Sequence, residues 1–234
     1  MKSIIHSFAL LLALSAFTLL SSVIAPCQET RFYLKGDLGG NLTGDTEATV
    51  RGNSVFGQIF GTRSIGLKAP FDPGGRIGMA GAYQITDWFA AEAELGAIVN
   101  RFAGAGVRDG TFASVPFLFN VRLQYPSRSH WTPYIGAGVG VSAAILDADV
   151  LIPGTSFTGY TRVPVTGADA VLAYQAFAGL RYKLNERMGL SLEYHYLATK
   201  NSEWNLDLGR DSHATVTFGR IETHAISLAF DYRF

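Results

Sequence analysis

Between residues 115 and 125 large apolar residues recur at every second position. Val115, Phe117, Phe119, Val121, Leu123 and Tyr125 fall on one parity, and Asn120, Arg122 and Gln124 on the other. A β-strand sends successive side chains to opposite faces, so this stretch reads as a strand with one apolar and one polar face. The same period recurs in 31–40, 74–85, 89–100, 131–141, 171–184, 188–197 and 224–234. Each of these segments is near the 9–11 residues, roughly, that a tilted membrane-crossing strand needs. Beyond the first 27 residues no apolar run approaches the length of a spanning helix, so any insertion there must be by strands.

The connections sort by length. Segments 86–88, 126–130 and 185–187 are short, whereas 41–73, 101–114, 142–170 and 198–223 are long and rich in Gly, Thr, Ser and Asp. An up-and-down barrel with both chain ends on the short-turn side requires this order, and outer-membrane barrels have short periplasmic turns and long outside loops. The expected fold is therefore all-β, an eight-stranded antiparallel up-and-down transmembrane β-barrel.

Period two alone does not say which face points outward. Two features choose. Phe32, Tyr83, Trp88, Phe89, Tyr125, Trp131, Tyr182, Tyr232 and Phe234 collect beside the short-turn end, as in an interfacial aromatic girdle. The opposite parity mixes Gly and Ala with Lys35, Asp37, Arg76, Lys183, Asp231 and Arg233, and with Glu92, Glu94, Arg122, Arg181 and Glu193. A narrow eight-stranded interior accommodates small residues and paired charges. The last five are expected to form a charge network inside the barrel, with the apolar face toward lipid. A soluble barrel with a charged exterior is the alternative.

Composition excludes other classes. At 48% hydrophobic and 16% charged the chain is too apolar for disorder. Lys and Arg number 19, as do Asp and Glu, so no basic surplus suits nucleic acid. The one cysteine, Cys27, allows neither an internal disulfide nor a cysteine zinc site. Residues 1–27 read as a signal peptide: Lys2 starts it, 8–20 is uncharged and apolar, and cleavage follows Ala25 or Cys27. Pro26 argues against a lipoprotein signal; an uncleaved anchor is the other possibility. The barrel domain is then 28–234.

Four segments carry a family resemblance: Arg76-x-Gly-x-x-Gly-x-Tyr83, Thr86-x-Trp-Phe-Ala-Ala-Glu-x-Glu94, Thr132-Pro-Tyr-Ile-Gly-x-Gly-x-Gly140 and Phe230-x-Tyr-x-Phe234. The chain resembles the small bacterial outer-membrane β-barrels of OmpA-like and opacity-protein-like type, without the periplasmic peptidoglycan-binding half of the OmpA pattern. The resemblance implies the outer membrane of a diderm bacterium, contact with its lipid, and pairing of the last strand with the first. It also implies an assembly signal at Phe230, Tyr232 and Phe234, read by the barrel assembly machinery.

Some barrels of this size cleave lipids with His, Ser and a carboxylate. His195 shares its parity with Ser191 and Glu193, but that parity points inward, and no His-x-Ser-Asn follows the deacylase pattern. Asp211-Ser212-His213 lies in a long loop, and Arg108-Asp109-Gly110 reads as a turn. No phosphate loop or metal-ligand spacing occurs. No catalytic, cofactor or metal residue is therefore expected, and the chain reads as a non-enzyme. The function expected is structural or surface interaction with a host or matrix through long extracellular loops. A narrow small-solute or lipophile conduit and a lipid-modifying enzyme are the alternatives.

Overall fold

The structure is a computed structural model that describes residues 31–52, 65–69, 71–104, 107–127, 129–153, 160–207 and 213–234. The expected signal peptide, residues 1–27, and its expected cleavage region lie outside the described residues. Eight long strands close a barrel: β1 (Phe32–Thr43), β4 (Gly74–Thr86), β5 (Phe89–Gly104), β6 (Val107–Gln124), β7 (Trp131–Pro153), β8 (Tyr160–Lys183), β9 (Met188–Thr199) and β12 (Glu222–Arg233). Every neighbouring pair is antiparallel, and β1 closes the circle against β12, with Leu38 opposite Leu228 and Lys35 opposite Asp231. Closure leaves no barrel edge, so the strand ladders run around the wall and keep the backbone polar groups paired within it, as a hydrocarbon surround demands.

The side chains follow the alternation. On one parity, Leu38, Phe119, Ile135, Ile226 and Leu228 are each more than half exposed. On the other, Lys35, Arg76, Glu94, Arg122 and Glu193 are buried. The apolar face looks out to lipid and the charged face fills the lumen.

The long connections differ from the loops expected of them. Segments 101–114 and 142–170 are mostly strand, because β5, β6, β7 and β8 run on past the apolar band. Arg108-Asp109-Gly110 is part of β6 rather than a turn; Asp109 lies opposite Asp149 and Gly110 opposite Ala148, since the hairpin reverses farther out. The β7–β8 hairpin stays paired from Trp131 and Tyr182 to Pro153 and Tyr160. Its 23-residue strand at roughly 3.3 Å per residue is about 75 Å long. Tilted by roughly 40° it rises about 55–60 Å, twice the height of the ~25 Å apolar band. From the other two long connections come β2 (Thr46–Gly52), β3 (Ile65–Ala69), β10 (Ser202–Asp207) and β11 (His213–Phe218), a four-stranded sheet in the order β10-β11-β2-β3.

Beyond the lipid the alternation changes sign. Leu146, Ala148, Val150 and Ile152 share the parity of buried Ala144, while Asp149 shares that of exposed Asp147. In the second sheet the register puts Val50, Ile65, Leu67 and Val216 on one face, and Thr49, Lys68, Thr215 and Thr217 on the other. The sequence period there no longer matches that of a strand with lipid on its outer side.

Candidate functional site

The lumen is the most highly organised chemistry in the chain. Its side chains come from alternate positions of all eight barrel strands and stack in tiers from the short-turn end upward. In the lowest tier Arg181 grips Asp231 with two parallel bonds, Nε to Oδ1 at 2.8 Å and Nη2 to Oδ2 at 2.6 Å. Above it Arg122 pairs with Glu92 at 3.2 Å. The Arg122 guanidinium lies between the rings of Tyr33 and Tyr134, 4.8 and 5.0 Å from their centroids.

Lys35 is the hub of the middle tier. Its Nζ reaches Glu193 at 3.1 Å and Glu92 at 3.5 Å. Tyr33 donates to Glu92 at 2.7 Å, Tyr134 donates to Glu193, and His195 Nε2 lies 2.9 Å from the second Glu193 oxygen. Phe177 stacks on the His195 ring. One tier higher, Arg76 bridges Asp37 at 3.0 Å and Glu94 at 2.5 Å, and Glu94 also accepts from Asn120 and Gln175. The network ends in neutral groups. Asn100 donates to Asn41, and Thr43 bonds both Asn100 and Thr223. Beside these lies an apolar layer of Ile98, Leu118, Ala173 and Leu197.

The wall is glycine-rich where the plug is bulkiest. A Cβ on Gly136 would meet the Phe177 ring, one on Gly138 the Asn120 amide, one on Gly179 the Tyr134 ring, and one on Gly189 the Arg181 guanidinium. Gly136 and Gly138 therefore seat side chains from the neighbouring strands, and Gly140 lies against the Phe117 backbone carbonyl. The lack of side chains opens no gap in the wall at Gly136 or Gly138.

Each of the five charges singled out by parity is buried in the lumen, but they do not form one cluster. Glu92, Arg122 and Glu193 meet through Lys35 and the two tyrosines; Glu94 belongs to Arg76; Arg181 belongs to Asp231. Lys183 has the inward parity yet is exposed, because β8 ends there. Parity places Lys35, Arg76 and His195 inside without revealing which carboxylate each one meets. Tyr33 and Tyr134, whose hydroxyls tie the carboxylates down, carried no sequence signal beyond inward parity. Ser191, Glu193 and His195 are all buried, with the imidazole turned to Glu193. Among the described residues no group of His, Cys, Asp and Glu is arranged to hold a metal ion.

Around the short-turn end, Tyr83, Trp88, Tyr125 and Trp131 are exposed, and Trp131 packs on Tyr182 with centroids 4.7 Å apart. The closing residues join this belt: Phe230 and Phe234 face outward, and the Phe234 ring lies 5.8 Å from Phe32 and 5.3 Å from Tyr232.

No curated protein matches the chain. Among solved structures it is similar to the outer membrane protein OprG of Pseudomonas aeruginosa, at 14% identity and TM-score 0.59, covering 88% of this chain and 98% of that one. It is also similar to the Neisserial surface protein NspA, at 14% identity and TM-score 0.49, covering 88% and 98%. The Escherichia coli outer membrane protease OmpT matches at 11% identity and TM-score 0.49, covering 89% and 99%. At 14% identity the likeness to OprG is one of fold. Residues 9–234 match the outer membrane protein β-barrel domain, and the chain belongs to that family of outer-membrane barrels.

Proposed function

We propose that this barrel acts through what it displays outside the cell, with a lumen that conducts no solute. The observation that supports this most is the tiered ion-pair plug, from Arg181–Asp231 up to Thr43–Asn100, beneath strands that rise far past the lipid. Eight-stranded interiors are just filled by side chains, whereas aqueous channels accompany about 16–18 strands. The outer part is a β-structured platform with a polar outer parity, suited to meeting a host or matrix surface. Its chemistry is binding rather than catalysis: Ser191, Glu193 and His195 are sealed inside, away from lipid acyl chains. Residues 1–27 serve as its secretion signal, and Phe230, Tyr232 and Phe234 engage the assembly machinery.

One observation favours a lipophile conduit instead. The apolar residues Ile98, Leu118, Ala173 and Leu197 line the lumen beside the neutral end of the plug, and they are the surface that a lipophile entering from outside would contact there. Trimming the β7–β8 hairpin separates the readings. Ile145 and Ala168 are register partners, and an Asn-Gly turn between them would remove the projection. The barrel should fold, and bacteria displaying it should lose attachment to epithelial and matrix-coated surfaces relative to the full-length protein. Undiminished attachment, or faster uptake of a hydrophobic dye that depends on the full hairpin, would contradict the surface reading.

A further inference from the structure

The lipid-facing surface has a second polar cluster, far from the plug. Along the outward parity of β12, Phe230, Leu228 and Ile226 are exposed and apolar, and then the series changes to His224 and Glu222. On β9 it passes from Leu190 and Leu192 to Tyr194 and Tyr196, and β8 contributes Tyr174. Tyr196 lies opposite His224, and Ala198 opposite both Glu222 and Tyr174, so the change occurs at one height on three adjacent strands. Eight residues separate His224 from Tyr232 of the lower belt. At roughly 3.3 Å per residue and 40° of tilt they span about 20 Å, which places the cluster at the outer edge of the ~25 Å apolar band.

The side chains there are tied to one another. Tyr194 Oη lies 2.6 Å from His224 Nδ1, leaving Nε2 as the second polar edge of the ring. Arg220 reaches the Tyr174 hydroxyl at 3.4 Å and forms an ion pair with Glu222, which also accepts from Tyr196. Exposed Lys200 follows β9 on the same parity as Tyr196, and its backbone N–H donates to the Leu172 carbonyl at 2.9 Å. Arg220 and Glu222 thus form an ion pair at the headgroup level, with exposed Lys200 at the end of neighbouring β9. An exposed ion pair stabilises a fold by only about 0–1 kcal/mol, so folding gives little reason for Arg220 and Glu222 to be there.

We propose that Arg220, Lys200, Tyr174 and His224 bind the phosphate of an outer-leaflet lipid headgroup. Phosphate oxygens accept from the guanidinium, the ammonium and the tyrosine hydroxyl, and such charge-assisted bonds are about twice as strong as neutral ones. The tyrosine rings lie against the lipid's first methylenes with their hydroxyls in the polar layer. Glu222 competes with the phosphate for Arg220 and sets the affinity. The site fixes the barrel's depth and keeps a lipid on the β8–β9–β12 side.

Titration of the folded full-length protein in detergent with bis-phosphorylated lipid A, followed by native mass spectrometry, tests this. Two parallel titrations use the same lipid after removal of its phosphates and inorganic phosphate alone. The phosphorylated lipid should bind at least about tenfold more tightly than the dephosphorylated one, and inorganic phosphate should not compete at equal concentration. Arg220→Gln should weaken binding about tenfold, Glu222→Gln should strengthen it, and Arg187→Gln in the opposite turn should leave it unchanged. A merely structural ion pair would instead give Arg220→Gln and Glu222→Gln the same sign. Equal binding of both lipids, competition by inorganic phosphate, or equal effects of Arg220→Gln and Arg187→Gln would overturn the proposal. Heat-modifiable gel mobility confirms that each variant is folded before titration.

Discussion

Replacing Glu193 by alanine removes one carboxylate and leaves three partners behind. Lys35 loses its 3.1 Å contact and keeps only Glu92 at 3.5 Å, His195 loses its 2.9 Å partner, and the Tyr134 hydroxyl loses its acceptor. Glu193 and His195 are each 1% exposed, so water does not replace what is lost. Breaking a buried pair from one side costs about 3–5 kcal/mol, and a stranded hydroxyl about 1–3 more. The costs overlap, because the freed groups share one cavity. The expected loss is therefore about 4 kcal/mol, against about 0–0.5 for Glu186→Ala in the exposed 184–187 turn. Glu193→Gln keeps acceptors for the tyrosine and histidine and should fall between. Urea unfolding in lipid vesicles, read by tryptophan fluorescence and by gel mobility, measures all three. Losses within about 1 kcal/mol of each other for Glu193→Ala and Glu186→Ala would mean that the plug is hydrated, and the reasoning would fail.

Three further substitutions and one deletion test other parts of the account. Gly179→Val would drive a side chain into the Tyr134 ring and should cost about 1–3 kcal/mol, whereas Gly75→Ala, with nothing within 4 Å, should be nearly neutral; equilibrium unfolding compares them. Phe119→Arg puts a cation on the lipid face and should cost about 2–4 kcal/mol near mid-membrane; a smaller loss in vesicles than in detergent would argue that this parity does not face lipid. Deleting Phe234 should lower folded yield in cells without lowering synthesis, as followed by the ratio of heat-modifiable to total protein. An unchanged ratio would remove Phe234 from the assembly signal.

How legible the fold was depended on whether the information was local. The alternation in 115–125 and its counterparts located all eight barrel strands, because a lipid-facing strand shows its period in its own residues. It failed where the surrounding medium changes. Beyond Ile145 the apolar parity passes to the other side, with Asp147 and Asp149 on the old one, so a pattern tuned to lipid stops there while the hydrogen-bonded ladder continues to Pro153. The second sheet joins Val50 of one long connection to Val216 of another, a pairing that no neighbouring residue announces. The lumen behaves likewise. Parity put Lys35, Arg122 and Glu193 inside, but Lys35 and Glu193 are brought together by the closing strand, and Arg181 finds Asp231 across β9. Which charges meet is decided by tilt and stagger around the barrel, quantities absent from any single strand.

Single-channel recording tests the closed lumen most directly. Folded full-length protein in a planar bilayer should show no large, steady conductance step across a range of applied voltages, because charged and aromatic side chains occupy the interior from Arg181 to Thr43. Reproducible porin-sized openings would contradict the plugged interior, and with it the proposal that this barrel works by display rather than by passage.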